Sequence, residues 1–350
     1  MRLIHLTLLL VISSCAPTIK NFDDYQKQFL SKTAFMPTKE TLDGKPVKIV
    51  VFALDENNNE IAMQSGLGES IAGSIENILS KNRLCEIVDR KAAVKLQKEI
   101  ALSEMNKTGS YKGPLVADYA ISGTISNAGF TSKYSAGFFY PNPKTGEIIT
   151  VPPKYTYSTD VSGNLKVYEL PSLSVVESIE FSEKERRSEN VKQDGGLSLG
   201  ALQIGGKKVD GASKDNNMLR KTGAEAIEDI EVNIKNFFAK KGYILEKRVY
   251  ENKTIFKISL GSLDGVNQGD KFEITGQYES QNSITEEVEI EKRIIANGIV
   301  TDKIDPKTSW VILKDSKKVN SVRLGDAVKM KYKKNGFAKI GKIAESLLEQ

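Results

Sequence analysis

The residue with the most distinctive chemical setting is Cys15, which directly follows the small pair Ser13-Ser14. Arg2 gives the chain a positive start, and residues 3–12 are nearly all apolar. This pattern is typical of a secretory leader that is cut after small residues. The apolar run is too short to remain as a membrane-spanning helix, which needs about 20 residues. The spacing therefore predicts that residues 1–14 are removed and that Cys15 becomes the N-terminus.

This arrangement resembles the signal of bacterial lipoproteins, in which the cysteine is diacylated on sulfur and acylated again on its new amino group. The resemblance implies covalent acyl groups on Cys15 and a membrane anchor that leaves the protein facing the periplasm. Each buried CH₂ contributes about 0.8 kcal/mol, so three chains would anchor the protein almost permanently. Ala16 stands where Asp would favour retention in the inner membrane, which implies the outer membrane. An ordinary secretory leader is the alternative.

The leader also limits the catalysis that the mature chain could perform. The chain has one histidine, His5, and cleavage would remove it. Catalysis by Ser-His-Asp or Cys-His and metal sites that contain histidine are then excluded. The other cysteine, Cys85, lies in an apolar, strand-like context that favours an inert core thiol. We therefore predict a protein that is not an enzyme and that binds no metal and no cofactor other than its acyl groups.

Composition points to a globular protein of ordinary size. The chain has 350 residues, of which 39% are hydrophobic and 27% charged, and its net charge is +5. About 336 residues would remain after cleavage, enough for two domains. Basic and acidic residues are interspersed, so nucleic-acid binding is not predicted.

The first part of the mature chain predicts a tether followed by an alternation of strands and helices. Polar residues with three prolines make residues 15–46 resemble a tether. Continuous apolar runs then alternate with segments of helical periodicity, which predicts an α/β (α+β) domain over residues 47–245. The alternating elements are predicted at residues 48–54, 66–82, 85–88, 90–105 and 119–125. A further amphipathic segment, 217–241, predicts a long helix that ends before Gly242.

The last part of the chain predicts a small all-β domain over residues 247–333, followed by a Lys-rich tail at 334–350. Short apolar strands there are separated by Asp-Gly and Gly-Asp turns, which is typical of a small barrel. Glycine supplies the positive φ that such turns need, and aspartate bonds the nearby backbone. The residues predicted to have this structural role are Gly265, Gly269, Asp270, Gly325 and Asp326. A metal site at these aspartates is disfavoured because no carboxylate cluster surrounds them.

Two phrases of the first domain resemble the curli-assembly lipoprotein family, CsgG. They are Ile87-Val88-Asp89-Arg90 before a helix and Ala117-Asp118-Tyr119-Ala120-Ile121-Ser122-Gly123-Thr124-Ile125 in a strand, both following the apolar run 49–54. The spacing Gly261, Gly265-Val266, Gly269-Asp270 resembles the SH3-like β domain of the flagellar protein FlgT, which CsgG lacks. The resemblance covers residues 47–243 and the β domain.

The CsgG resemblance implies a homo-oligomeric ring in the outer membrane that serves protein export or assembly, with β-hairpins contributed to a shared barrel. Candidate hairpins are residues 127–161 and 182–215, and in the first of them alternate residues among Tyr155, Tyr157, Thr159 and Val161 would face lipid. The family's constriction loop would fall at Asn57, Asn58 and Asn59. The alternative is a periplasmic scaffold without a pore, like FlgT or the lipoprotein activators of cell-wall synthases, that binds exported or periplasmic proteins.

Overall fold

The computed structural model describes residues 16–43, 46–81, 83–106, 116–191, 198–199, 202–203, 215–281, 283–284 and 286–333. Contacts divide these residues into two units. The sheet unit runs from Pro46 to Phe237, and the barrel unit combines residues 16–43 with Phe238–Tyr332.

The secondary structure is mostly β, with few helices. The strands are β1 (Gln26–Gln28), β2 (Lys48–Val51), β3 (Glu86–Ile87), β4 (Tyr119–Ser135), β5 (Phe138–Pro141), β6 (Ile148–Val151), β7 (Lys154–Glu169), β8 (Ser174–Asn190), β9 (Ser198–Leu199), β10 (Leu202–Gln203), β11 (Lys241–Tyr250), β12 (Lys253–Ile258), β13 (Lys271–Gln281), β14 (Val288–Ile304), β15 (Ser309–Leu313) and β16 (Ala327–Met330). The α-helices are α1 (Lys39–Asp43), α2 (Glu60–Ser65), α3 (Leu67–Lys81), α4 (Val94–Asn106), α5 (Asn216–Asp229) and α6 (Glu231–Phe237).

The sheet unit is built on a five-stranded sheet in the order β3-β2-β4-β7-β8. Strand β2 is parallel to both of its neighbours, whereas β4, β7 and β8 are antiparallel. Helix α3 lies between β2 and β3 in the chain, and its predicted apolar stripe is buried, which packs the helix onto the unit's core. The α/β description therefore applies to one end of a mixed sheet, and the described chain as a whole is mostly β with few helices.

The barrel unit closes six antiparallel strands in the order β11-β12-β15-β14-β13-β16, with β16 pairing back to β11. Inward-facing apolar side chains alternate along each strand and fill its interior, among them Phe256, Phe272, Ile274, Val300, Val311 and Val328. Pairing of Lys241–Tyr243 with Ala327–Lys329 closes the ring of strands. The β structure of this unit therefore begins before residue 247, the start that the sequence pattern predicts.

Residues 16–43 differ from the predicted tether because they pack onto the barrel unit. Strand β1 pairs antiparallel with β11, and the Ile19 amide donates to Asp302 Oδ1 at 2.7 Å. Ile19 and Tyr25 are buried in one apolar cluster with Trp310. The sequence of this segment lacks apolar periodicity because only single side chains are buried, and not one whole face of a strand or helix.

The long helix predicted for residues 217–241 is also different in the structure. Helix α5 ends at Asp229 with a break at Ile230, where φ is −100° and ψ is 4°, and α6 ends at Phe237. Lys241 and Gly242 already belong to β11. A side chain at Gly242 would place its Cβ 2.6 Å from Leu260 Cγ. Glycine is therefore required here because β11 passes so close to Leu260. Strand pairing here overrides helical periodicity.

Candidate assembly surface

The most extended feature of the sheet unit is the set of three long strands β4, β7 and β8. Strands β4 and β8 have 17 residues each and β7 has 16, and β7 is paired with both along its whole length. At about 3.3 Å per residue, each strand is roughly 50 Å long. A short hairpin, β5 with β6, continues from the end of β4 and leads into β7.

Helix α5 covers one face of these strands. Thr159 Oγ1 and Thr222 Oγ1 lie 2.6 Å apart in a buried hydrogen bond, and Met218 packs in one cluster with Tyr155 and Tyr157. Salt bridges surround this contact: Lys221 Nζ lies 2.6 Å from Glu185 Oε1, and that hydrogen bond raises the pKa of Lys221. The helix is thereby held to the sheet by an apolar centre with charged pairs at its rim.

This arrangement corrects the expectation that alternate residues of β7 face lipid. Tyr155, Tyr157, Thr159 and Val161 are 6%, 3%, 2% and 0% exposed. The guanidinium of Arg187 on β8 lies 5.6 Å from the ring centre of Tyr157. Alternate residues of β7 do share one apolar face, as predicted, but that face packs against protein.

Two edges of the long sheet have no strand partner among the described residues. On β4, the outer edge is paired with β2 at Tyr119–Ile121, and Asn59 Nδ2 reaches the Ala128 carbonyl oxygen at 3.2 Å. Beyond that point, residues 129–135 pair only with β7. Strand β8 likewise pairs only with β7 over 174–190. These edges present rows of backbone N–H and C=O groups, the usual template for pairing with another chain.

The β5–β6 hairpin carries a group of exposed large apolar side chains, which we call the aromatic tip. Phe138, Phe139, Tyr140 and Ile148 are 57%, 52%, 43% and 70% exposed. The rings of Phe138 and Tyr140 stack with their centres 6.0 Å apart. Lys144 lies in the turn of this hairpin. Aromatic and basic side chains together are typical of surfaces that contact a membrane interface.

The asparagines of the predicted constriction loop have two different environments. Asn57 and Asn58 have positive φ values of 47° and 57° and form an exposed turn. Asn59 is the N-cap of α2, where its side-chain oxygen accepts a hydrogen bond from the Ala62 amide at 3.0 Å. The side chain of Asn59 therefore has a structural role as a helix cap. A constriction role for Asn57 and Asn58 stays a prediction.

Several predicted sites lie wholly or partly outside the described residues. These are the leader 1–14, the lipidation residue Cys15, most of the second candidate hairpin and the tail 334–350. The described start of that hairpin, residues 182–190, is the end of β8. Cys85 is half-buried. Within the described ranges, no three His, Cys, Asp or Glu side chains form a group that could hold a metal ion, and no helix is long and apolar enough to cross a membrane.

The predicted turn residues of the barrel unit share one geometry. Gly265, Gly269 and Gly325 have positive φ values of 78°, 89° and 87°. The carboxylates of Asp270 and Asp326 each accept a hydrogen bond from the amide three residues earlier, at 2.8 Å from Asn267 and 2.7 Å from Arg323. Each Gly-Asp pair thus closes a tight turn before a strand.

Replacing Gly269 by valine tests the structural role of this turn. Space is not the obstacle, since an added Cβ would lie 3.5 Å from Ala16 Cβ. The cost comes from forcing a β-branched residue to positive φ, which we expect to lower stability by about 1–3 kcal/mol. Gly269→Asn should lower the melting temperature less than Gly269→Val, because asparagine tolerates positive φ better than valine. An unchanged melting temperature for Gly269→Val with loss of a ligand interaction would show that the motif is a binding site.

No protein-family model matches the chain, and no curated protein matches it. Among solved structures, a dodecameric PelC variant from Paraburkholderia phytofirmans overlaps with 59% of this chain and 97% of its own. The sequence identity is 10% and the TM-score is 0.24. A TM-score this low does not assign a shared fold, and the dodecamer is a property of PelC.

Proposed function

We propose that the protein is an outer-membrane lipoprotein of the CsgG-like type that assembles as a homo-oligomer and acts, without catalysis, in protein export or assembly. The observation that carries this proposal is that two edges of the long three-stranded sheet, residues 129–135 of β4 and 174–190 of β8, pair with no further strand among the described residues. The sequence motifs that resemble CsgG and the lipoprotein signal at Cys15 support the same conclusion.

The two edges differ from each other, which determines the kind of oligomer they can form. Pairing of β4 in one copy with β8 in the next is a heterologous, head-to-tail contact. Repetition of such a contact gives a closed ring when the rotation between copies closes. Alternating charges on β8, from Glu183 and Lys184 to Arg186 and Arg187, disfavour indiscriminate pairing and restrict the edge to a matching partner.

The aromatic tip gives the sheet unit its own means of contacting a membrane. Burying one large apolar side chain contributes about 1.5–3 kcal/mol. Four such side chains at one hairpin supply a reversible interaction that supplements the acyl groups on Cys15. Exported or periplasmic proteins would be the partners, and the protein would sit on the periplasmic face of the outer membrane.

A second candidate function is a periplasmic scaffold without a pore. The burial of Tyr155 and Tyr157 against Met218 of α5 favours it, because this face of β7 is covered by protein. Both functions use the same edges for assembly. They differ in whether the assembled particle has a lumen.

Paired proline substitutions at Glu183 and Lys184 test the assembly surface. These residues lie opposite Val161 and Asp160 of β7 in the sheet register. Neighbouring residues of a strand direct their N–H groups to opposite sides, and the Lys184 amide donates to Glu183 Oε1 at 3.0 Å. We therefore expect Glu183→Pro to remove a bond to β7 and Lys184→Pro to remove a donor from the outer edge. We expect one variant to lose melting temperature and the other to keep it while the detergent-extracted oligomer dissociates, as measured by light scattering.

The two variants serve as controls for each other. An oligomer that survives both prolines, or a wild-type protein that is monomeric in detergent, would contradict the proposal. Negative-stain images of the intact oligomer then separate the two functions. A ring with an open lumen supports export, and a closed particle supports the scaffold.

A further inference from the structure

The start of the predicted mature chain is fixed to the barrel unit from its first described residue. A Cβ added at Gly269 would lie 3.5 Å from Ala16 Cβ, which is an ordinary van der Waals distance. The side-chain amide of Gln268 donates a hydrogen bond to the Pro17 carbonyl oxygen at 3.2 Å. Ala16 and Pro17 therefore lie on the Gly269 turn.

The residues that follow hold this start in place. The Ile19 amide donates to Asp302 Oδ1, and Ile19 is buried. The rings of Phe22 and Trp310 pack edge to face with their centres 5.3 Å apart. The guanidinium of Arg248 lies 4.9 Å from the centre of the Trp310 ring and 5.4 Å from that of Phe22. These contacts attach the segment to the barrel, where a flexible tether would make none.

This attachment limits how far a lipid anchor on Cys15 can lie from the barrel unit. Consecutive Cα atoms are about 3.8 Å apart, so Cys15 directly adjoins the part of the chain that lies on the Gly269 turn. A flexible tether over residues 15–46 would instead have a root-mean-square length of about 30 Å. Acyl groups joined to Cys15 would consequently bring the surface of the bilayer to the Gly269 turn.

Two adjacent loops of the barrel unit, residues 262–270 and 305–307, form what we call the anchor face. The Leu263 amide donates to the Pro306 carbonyl oxygen at 3.0 Å, which joins the two loops. The side chain of Leu263 is 59% exposed. Exposed, uncharged polar residues of the same face are Ser262, Asn267 and Gln268. The anchor face thus presents a large apolar side chain among uncharged polar groups.

The charged groups of the anchor face are of both signs. Asp264 Oδ1 lies 3.1 Å from Lys240 Nζ, and Asp305 Oδ2 accepts a hydrogen bond from the Thr308 hydroxyl group at 3.1 Å. Lys307 is exposed and adds a positive charge in the same loop as Asp305. Mixed charges around Leu263 suit the zwitterionic headgroups of a phospholipid surface.

The far end of the β13–β14 hairpin provides a comparison within the same unit. Strand β13 begins at Lys271, directly after the anchor face, and ends at Gln281. Gln281 pairs with Val288 of β14, whose side chain is 67% exposed. At about 3.3 Å per residue, Gln281 lies roughly 33 Å along the strand from Lys271. Val288 is therefore at least as exposed as Leu263 but lies far from the anchor face.

We propose that the anchor face rests on the lipid bilayer, with Leu263 among the headgroups and the acyl groups of Cys15 entering the membrane beside the Gly269 turn. The proposal rests on lipidation of Cys15, which belongs to the proposed function. The short attachment fixes the orientation of the barrel unit on the membrane. Its β13–β14 hairpin points away from the bilayer into the periplasm.

Quenching of a fluorescent label by lipid tests the proposal. The mature, lipidated chain carries Cys85→Ser, so that a cysteine introduced by Leu263→Cys or Val288→Cys is its one thiol available for labelling. Each variant is labelled with bimane and reconstituted into phosphatidylcholine vesicles that contain lipid spin-labelled at the headgroup. We expect a loss of fluorescence at residue 263 several times larger than at residue 288. Both sites are exposed, so both variants should keep the wild-type melting temperature.

A longer attachment is the second control. A flexible Gly-Ser linker of about 10 residues between Ala16 and Pro17 has a root-mean-square length of about 17 Å, which allows the barrel unit to leave the membrane surface. We expect this variant to stay in the membrane fraction and to lose most of the quenching at residue 263. Quenching that the linker leaves unchanged would overturn the claim that the short attachment positions this face.

The same measurements separate this proposal from the proposed function. A chain that carries no acyl mass and does not float with the vesicles would overturn both. A lipidated, vesicle-bound chain that is quenched at residue 288 as strongly as at residue 263, or at neither residue, would overturn the anchor face and leave the lipoprotein proposal standing.

Discussion

Cys15→Ser is expected to move the protein from the membrane fraction to the soluble fraction, or to leave an unprocessed chain with its leader attached. In the proposed anchor the first two acyl chains would be attached through the Cys15 sulfur before the amino group is acylated, and a serine hydroxyl would not be a substrate for that transfer. Loss of three acyl chains removes about 0.8 kcal/mol for each buried CH₂, far more than the aromatic tip supplies. Fractionation with intact-mass measurement of the mature N-terminus gives the result directly.

Cys85→Ser is the matched control for the anchor, because it removes the only other cysteine. That variant should stay in the membrane fraction with its mass increased by the acyl groups. A Cys15→Ser chain that is cleaved and still membrane-bound after a high-salt wash would contradict the lipoprotein interpretation. The ordinary secretory leader would then be the better account of residues 1–14.

Tyr157→Arg is expected to unfold the sheet unit or to destabilise it by about 3–5 kcal/mol, the cost of leaving a charge buried without a partner. Tyr157 is 3% exposed and packs with Tyr155 and Met218 beneath α5. The new guanidinium would also lie beside Arg187, whose charge now rests over the tyrosine ring at 5.6 Å. Denaturant unfolding of the detergent-extracted protein measures the loss.

Ser158→Arg is the control on the opposite face of the same strand. Ser158 is half-buried, so a long side chain there can extend its charged end to water. Because Ser158 lies opposite Arg186 on β8, we expect only the cost of one like-charge pair, about 0.2–1 kcal/mol, well below the loss for Tyr157→Arg. Equal stability of the two variants would show that α5 does not cover this face of β7, and the lipid-facing interpretation of Tyr157 would regain its basis.

Local patterns predicted those features that depend on neighbours in the chain. The apolar stripe of α3 follows from the helical period, and its side chains are buried. The run at 48–54 predicted strand β2, which the structure has at Lys48–Val51. The glycines of the Gly-Asp turns have positive φ for a reason that operates within four residues, since only glycine adopts that conformation without strain.

Period-two alternation along β7 illustrates what local patterns leave open. Alternation shows that Tyr155, Tyr157 and Val161 share one face, but lipid and a packed helix both select apolar side chains for that face. The choice depends on α5, about 60 residues later in the chain, whose Thr222 meets Thr159 at 2.6 Å. The outer edges of β4 and β8 are likewise defined only by which of the described strands lie beside them.

The sequence by itself determined the leader pattern, the position of the chain's one histidine within that leader, and the positions of strands and helices whose apolar periodicity is strong. Tertiary structure alone decided that residues 16–43 pack on the barrel unit, that β11 begins at Lys241, and that Lys241 lies opposite Lys329. These contacts join residues far apart in the chain. Their free energy comes from strand pairing and burial between distant segments, which no local window of the sequence contains.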